Sequence, residues 1–350
     1  MTLSGIVRAL ALSAGLALSA CTGALDGLDP GRAEQPMPQA LQARMSAKGM
    51  SAADPMMIRI FKEEDKLEVW KRTKSGRYAL LKAYDICKYS GKLGPKFKEG
   101  DRQAPEGFYL VNKNRLNPNS KYYLSINMGF PNPYDRSHGR TGSHLMIHGA
   151  CSSAGCYSMT DPSALEIYAL ARDAFRGGQS EIQIQAFPFR MTPKNLARHA
   201  DSEHFDYWRM LKKGYDLFQI TKRPPDVKAC GRQYVFGMEG VGDTAVRFRA
   251  DQACPPMGMR ETMAREFMAR HKRDERKLES LLAKKENREP RDLSDLTFAS
   301  TFPGAQIIIA ERPVLPKVVD EKAVREASEK IEQAGPTLDD VPEVIVTPEG

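Results

Sequence analysis

Between residues 57 and 126 the chain falls into five short runs of alternating or continuous apolar character, at 57–61, 67–70, 78–81, 107–111 and 122–126. Clusters of Gly, Pro, Asn and charged residues separate them. Runs of four or five residues bounded by turn formers suit strands and are too short for packed helices. Ile182-Gln183-Ile184-Gln185-Ala186-Phe187 reads as a further strand. Leu145-Met146-Ile147 reads as a buried strand that delivers His148 to a sheet edge. Three helices are expected. One starts at Asp161, taken as the N-cap with Pro162 at the first helical position, and carries Leu165, Ile167, Tyr168, Leu170 and Ala171 on its apolar side. A second spans 193–213, with His199 and His204 as ordinary surface residues. The third, at 259–285, is charged, with an incomplete apolar stripe of Met259, Met263, Phe267, Leu278, Leu281 and Leu282. That stripe suits either docking or a solvated helix with a weak contact face. The expected fold class is mixed, strand-rich α+β.

A chain of 350 residues holds one sizeable domain with appendages. Residues 22–55, rich in Ala, Pro, Gln and Met, read as a tether with one short helix. Residues 236–290 form an extension containing the charged helix, and 291–350 read as a disordered acidic tail. No internal repeat is evident. The net charge of +8 conceals an asymmetry. From Asp292 onward there are twelve acidic and five basic residues, net −7, which leaves +15 on the preceding part. A basic body attracts polyanions. Nucleic acid is the generic partner of such a body, but no nucleic-acid motif is present and the N-terminus argues for export.

That N-terminus has Arg8, the apolar stretch from Ala9 to Leu18, and then Leu18-Ser19-Ala20-Cys21. A short apolar segment ending in small residues is an export signal and is too short to span as a mature membrane helix. Leu-Ser-Ala-Cys resembles the bacterial lipobox, so residues 1–21 are expected to be a lipoprotein signal peptide with Cys21 lipidated. An ordinary signal peptide with a chance cysteine is the alternative. Thr22 leans the anchor towards the outer membrane, in the periplasm. Five cysteines then remain, and an odd number in an exported protein leaves one free thiol. Cys230 and Cys254 bracket a short loop and are expected to pair. Parity then pairs Cys87 with Cys151 and leaves Cys156 free.

Cys156 closes the run Met146-Ile147-His148-Gly149-Ala150-Cys151-Ser152-Ser153-Ala154-Gly155-Cys156-Tyr157-Ser158-Met159. A thiol attacks carbonyls as thiolate, which needs a base within reach and a backbone that exposes the sulfur. His148 lies eight positions earlier, and the small residues Ser-Ala-Gly allow a sharp turn. Three plainer readings compete. Cys156 could be half of a disulfide. His144, His148, Cys151 and Cys156 could ligate zinc, although their spacing matches no closed pair motif and an oxidising compartment disfavours a thiolate site. His148 could be a satisfied structural histidine; His144 is read as structural.

Several anchors in fixed order resemble the YkuD-type L,D-transpeptidase catalytic domain, and within it the YafK-like subgroup. They are Cys87-Lys88-Tyr89-Ser90-Gly91 with Gly94-Pro95-Lys96, Pro105-Glu106-Gly107-Phe108-Tyr109, and Asn127-Met128-Gly129-Phe130-Pro131-Asn132. Then come Tyr134-Asp135-Arg136, the 146–159 run, and Phe187-Pro188-Phe189-Arg190-Met191-Thr192. The resemblance covers about 57–234 and implies a catalytic domain at 56–235 with a β-sandwich or barrel core and flanking helices. It implies that His148 is the base, Cys156 the acylated nucleophile, and Gly149 the residue whose carbonyl orients the imidazole. The Gly155 and Cys156 amides would form the oxyanion hole.

Two departures stand out. Where the family commonly has a histidine before the Gly-Cys pair and an arginine two after the cysteine, this chain has Ala154 and Ser158. The loop from His148 to Cys156 is also shorter than in most transpeptidases. Arg136, Arg140 and Arg190 are candidates to replace the lost arginine, and Ser153 and Tyr157 join them as candidate substrate contacts. The implied activity is cysteine acyl transfer on peptidoglycan stem peptides, without metal or cofactor. Two alternatives are hydrolysis on the same scaffold, as the subgroup's association with releasing lipoprotein from peptidoglycan suggests, and an idle peptidoglycan-binding tether. The implied partners are stem peptides, a membrane through the N-terminal lipid, and an outer-membrane lipoprotein.

Overall fold

The computed structural model describes residues 31–242 and 246–309. Cys21 with its apolar leader, and the tail from 310 onward, lie outside the described residues.

In chain order the strands are β1 (Met56–Phe61), β2 (Lys66–Arg72), β3 (Tyr78–Asp85), β4 (Lys88–Tyr89), β5 (Gly107–Val111), β6 (Leu116–Asn117), β7 (Ser125–Asn127) and β8 (Met146–His148). They continue as β9 (Tyr157–Ser158), β10 (Ile182–Phe187), β11 (Val227–Cys230), β12 (Gln233–Phe236), β13 (Glu239–Gly240), β14 (Met257–Arg260) and β15 (Ala305–Ile308). The helices are α1 (Gln39–Ala47), α2 (Pro133–Ser137), α3 (Asp161–Arg176), α4 (Pro193–Arg198), α5 (Phe205–Thr221), α6 (Glu261–Lys285) and α7 (Phe298–Thr301). Among the described residues no helix is long and apolar enough to cross a membrane.

Two five-stranded sheets make the body. The first runs β3-β2-β1-β10-β5, antiparallel except where β1 lies parallel to β10. The second runs β4-β9-β8-β7-β6, antiparallel except for the parallel pair β8 and β9. Strand alternation explains the packing. Ile58, Ile60, Ile182, Ile184 and Tyr109 face one core, shared with Ile126, Ile147 and Tyr157 of the second sheet and with Ile167 and Leu170 of α3. Phe61, Phe108 and Phe187 face the other way, into a core with Trp208, Leu211 and Tyr215 of α5 and Phe267 and Leu278 of α6. The fold class is therefore mixed α+β and strand-rich, with flanking helices.

β1 and β10 are buried at every position, yet carry Arg59, Gln183 and Gln185. Arg59 Nε donates to Gln185 Oε1 at 3.0 Å. Its guanidinium lies 4.4 Å from the Tyr215 ring centroid, 4.6 Å from Phe218 and 5.4 Å from both Phe61 and Phe187. Burial lowers its pKa to about 10. The ring faces around this cation offset only part of the cost of burying it.

Several elements differ from expectation. Residues 193–213 form two helices, α4 and α5, not one. The chain breaks where His199 stacks 4.7 Å from Phe189 and bonds Glu63 at 2.8 Å, while His204 packs on Trp208. Neither histidine is a plain surface residue. The N-cap of α3 is Thr160, whose hydroxyl accepts from Ser163 N, so Asp161 is already helical. The charged helix begins at Glu261, because Met259 belongs to β14. It docks on α5, and ion pairs fill the gaps in its apolar stripe: Lys212 to Asp274 at 2.7 Å, Asp216 to Arg270 at 2.9 Å and Glu275 to Arg209 at 2.8 Å. Within 22–55, Leu41 and Met45 of α1 are buried in the first core, and Arg172 of α3 donates to the Ala33 and Gln35 carbonyls. Beyond residue 291, the described part includes α7 and β15, the latter parallel to β14.

Candidate active site

The second sheet brings the candidate pair together. β8 and β9 run parallel with Ile147 opposite Tyr157 and His148 opposite Ser158, which sets Met146 beside Cys156. Ile147 and Tyr157 point into the core. Side chains alternate along each strand, so Met146, His148 and Cys156 share the opposite face. β8 is the central strand of its sheet, not an edge, and His148 stands at its C-terminal end.

The turn after His148 admits little variation. A Cβ on Gly149 would lie 2.5 Å from Asp161 Oδ1 and 2.9 Å from Tyr123 Cβ, so only glycine fits. Ala150 and Cys151 then take left-handed φ values of 63° and 45°. The Ala150 amide donates to Asp161 Oδ1 at 2.7 Å, which ties the turn to the first turn of α3. Cys151 forms a disulfide with Cys87, Cα to Cα 5.4 Å, and Cys230 pairs with Cys254 at 4.9 Å. Cys156 is a free thiol. With Cys151 in a disulfide, the four-residue zinc set cannot assemble as a whole.

The imidazole is oriented by backbone. His148 Nδ1 lies 2.6 Å from the Gly149 carbonyl oxygen. A carbonyl can only accept, so Nδ1 carries the proton and Nε2 keeps the lone pair that a base requires. His148 is only 3 % exposed. Burial holds its pKa below the ordinary imidazole value, and the Gly149 carbonyl opposes that only in part. The neutral form therefore prevails at neutral pH. The Tyr122 ring lies against it, centroids 4.8 Å apart.

The thiol points elsewhere. Cys156 Sγ accepts from the Met146 amide at 3.4 Å and donates to the His144 carbonyl at 3.5 Å; it makes no hydrogen bond to His148. Burial pushes its pKa above the ordinary thiol value, against smaller lowering effects of the Met146 amide and the Lys96 ammonium. The two groups rest as neutral thiol and neutral imidazole. Catalytic hydrogen bonds are often loose in the free enzyme and tighten on binding, so this geometry is compatible with a nucleophile and its base.

The amides expected to form an oxyanion hole are engaged. Ser153 Oγ accepts from Gly155 N at 3.2 Å and Cys156 N at 3.1 Å, and donates to the Cys156 carbonyl at 2.7 Å. Ser90, just after β4, secures this hydroxyl, 2.8 Å from the Ser153 carbonyl and 3.0 Å from its Oγ. An acyl oxygen can use those amides only if Ser153 releases them.

The remaining candidates are not brought to the thiol. Tyr157 is fully buried, its hydroxyl donating to the Pro105 carbonyl at 2.7 Å, and so cannot touch a substrate. Arg140 is buried on Asp135 at 2.8 Å between the rings of Phe97, Tyr134 and Tyr207. Arg190 pairs with Glu68 of the first sheet at 2.5 Å and lies over Phe61. Arg136 donates to the Pro131 carbonyl. None of these arginines bonds any residue between 148 and 156, because each is already claimed by another element. Sequence reasoning passed over Tyr122, read there only as the start of a strand, and Asp161, read only as a cap. The adjacency of Asn117-Pro118-Asn119-Ser120, a turn signal, was the available hint that the strand starts later; β7 begins at Ser125.

Comparison with known proteins identifies the family. The profile of the YkuD family, described as an L,D-transpeptidase catalytic domain, matches residues 56–184. The chain is 49 % identical over 181 residues to a candidate L,D-transpeptidase, YafK of Escherichia coli (strain K12), covering 52 % of this chain and 73 % of that one. The same figures hold for YafK of Escherichia coli O157:H7. Among solved structures it is similar to the helical cell shape determining protein Pgp2 from Campylobacter jejuni, at 16 % identity and a TM-score of 0.31, over 54 % of this chain and 79 % of that one. Bd1075 of Bdellovibrio bacteriovorus gives 21 % identity and a TM-score of 0.28, over 47 % and 61 %. The chain belongs to the YkuD family of L,D-transpeptidase catalytic domains.

Proposed function

We propose that this member of the L,D-transpeptidase family is a periplasmic cysteine acyltransferase that acts on peptidoglycan stem peptides, anchored to the outer membrane by lipid on Cys21. One observation carries the enzymatic reading. His148 ends β8 and Cys156 immediately precedes the parallel β9, with the Nδ1 proton of His148 committed to the Gly149 carbonyl. That leaves Nε2 free to take the thiol proton once Sγ turns from the His144 carbonyl.

The proposed reaction balances in two halves. The Cys156 thiolate attacks the carbonyl carbon of the amide that follows the L-centre of meso-diaminopimelate in the stem. The imidazolium returns its proton to the departing amine nitrogen, the C–N bond breaks, and a thioester remains. An acceptor amine then attacks the thioester carbon and gives its proton to Nε2, which passes it to the departing sulfur. Ser153 yields the Gly155 and Cys156 amides to the oxyanion during both halves. The basic body, net +15 before residue 292, suits a substrate that bears free carboxylates.

A second reading has a specific observation behind it. The seven residues between His148 and Cys156 are tied back onto Asp161 and Ser90, and the thiol is left only partly buried. Water reaches a partly exposed thioester, which favours hydrolysis of stem peptides or of a lipoprotein linked to them. Mass spectrometry of muropeptides incubated with the protein, with and without an added amine, separates the two. Cross-links or exchange of a terminal D-amino acid mark transfer. Shortened stems unaffected by excess amine mark hydrolysis, and unaltered muropeptides with no adduct on Cys156 overturn both.

A further inference from the structure

Tyr122 belongs to no regular element, yet it meets the candidate base at two independent points. Its ring lies over the His148 imidazole, centroids 4.8 Å apart and inclined by 39°. Its carbonyl oxygen accepts from the Gly149 amide at 3.1 Å, a bond that amide shares with the Leu124 carbonyl at 3.4 Å. Gly149 in turn supplies the carbonyl that holds His148 Nδ1 at 2.6 Å. One residue thus presses on the imidazole face and, through Gly149, steadies the acceptor that chooses its tautomer. Tyr123 follows with a left-handed φ of 72°, and its Cβ is one of the atoms that forbid a side chain on Gly149. The grip is built from both neighbouring residues.

The exposure pattern shows what the ring does. Tyr122 is 50 % exposed, whereas the imidazole beneath it is 3 % exposed. A large aromatic side chain left half in water is ordinarily a poor use of apolar surface, unless it shields something or receives something. The ionisable groups around His148 are few. The Tyr122 phenol lies on it, the Cys156 thiol shares its sheet face, and the Asp161 carboxylate sits beside Gly149, where it accepts from Ala150 N. From the N-terminal segment, the Arg32 guanidinium lies 5.3 Å from the Tyr123 ring. None of these charges contributes materially to the His148 shift, which comes from burial, countered by the Gly149 carbonyl.

We infer that Tyr122 is a positioning residue for the base: its ring covers the His148 imidazole against water and, with its carbonyl on Gly149, holds the ring in the tautomer and orientation that face Cys156. This rests on the reading of His148 as base. The outer face of the ring stays free and forms the approach side of the site, where an incoming stem peptide meets aromatic surface before it meets the thiol.

The test compares Tyr122→Phe, Tyr122→Leu and Tyr122→Ser in the full chain. Imidazole titration of His148 is followed by NMR, and muropeptide turnover is followed against pH. Phe keeps the ring and the backbone carbonyl, so both readouts should match the parent. Ser uncovers the imidazole, so the His148 titration should move up towards that of a solvent-exposed histidine. The acid limb of kcat/KM should move up with it, and kcat should fall about tenfold. Leu, apolar but without a ring, should fall between, and it serves if Ser proves unstable. An unmoved titration in both Ser and Leu variants overturns the inference whatever the activity. A titration that moves as stated in a protein that turns over no muropeptide upholds the cover on His148 and overturns the proposed function instead.

Discussion

The two five-stranded sheets have the same strand count and almost nothing else in common. The first has strands of five to eight residues, with its inner strands β1 and β10 buried throughout. The second is made of strands of two or three residues. Ladders that short close too few hydrogen bonds to be stable alone, and the second sheet is held by attachments instead. These are the Cys87–Cys151 disulfide, the Ser90 and Ser153 hydroxyls, and the Asp161 carboxylate. The long sheet gains stability from buried side chains; the short one gives up regularity so that a histidine, a thiol and two amides held by Ser153 meet at one turn. The candidate site sits where the backbone is least regular but most tied down.

That contrast can be broken most decisively at the thiol. Cys156→Ala should abolish muropeptide turnover, and His148→Ala should lower it by about 10²–10⁴-fold, the usual worth of a general base. Both should leave the thermal unfolding midpoint near that of the parent. A collapse of the fold in either variant would mean that the short sheet also carries the stability. The reciprocal experiment is Ile58→Ala, which empties a fully buried position in β1. It should cost about 2–5 kcal/mol in a denaturant titration and leave kcat/KM of the folded fraction unchanged. A loss of turnover per folded molecule would show that the sheets are not separable.

Acidification is a finer probe. The native pKa of His148 lies below the ordinary value, so the unfolded chain takes up that proton first as pH falls. Its contribution therefore costs stability through the usual imidazole range, and stops growing once pH passes below the native pKa. The Cys156 thiol, raised by burial, acts in the other direction: stability is lost as pH rises past the ordinary thiol value. Urea midpoints measured against pH should show the acid slope in the parent and a shallower one in His148→Ala. Equal slopes would place the imidazole in water.

Legibility from sequence divides along the same line. The strands of the first sheet could be read because alternation over five or more residues survives inspection: 107–111 and 182–187 coincide with β5 and β10. The order β3-β2-β1-β10-β5 was not readable beyond its local hairpins, since β10 reaches β1 across 126 residues, as in Met57 opposite Gln183, and β5 across 71, as in Ile182 opposite Val111. In the second sheet the motif identified His148, Gly149 and Cys156 as a group, because all three lie within one short segment. The surroundings were hidden for the opposite reason. Tyr122, Ser90 and Asp161 reach that segment from three separate parts of the chain, and no local pattern announces a carbonyl or carboxylate that arrives from elsewhere. The arginines misled because a cation in a sequence carries no sign of whether Asp135 or Glu68 has already claimed it.

The position of Cys151 has a consequence for how the chain oxidises. Its native partner is 64 residues away, whereas the thiol of Cys156 is only five residues on. In an unstructured chain the shorter closure costs less, by about 2 kcal/mol on loop entropy alone. Oxidation that runs ahead of structure should therefore join Cys151 to Cys156 and consume the candidate nucleophile. What reverses that preference is the ladder between β4 and β9, in which Lys88 meets Ser158 and the Cys87 amide bonds the Ser158 carbonyl at 2.9 Å. Once that pairing exists, Cys87 is beside Cys151 and the remote partner becomes the near one. Thiol–disulfide exchange before the sheet closes lets a mispaired chain recover. The free thiol of Cys156 thus stays second in line, behind a partner that the folded sheet delivers.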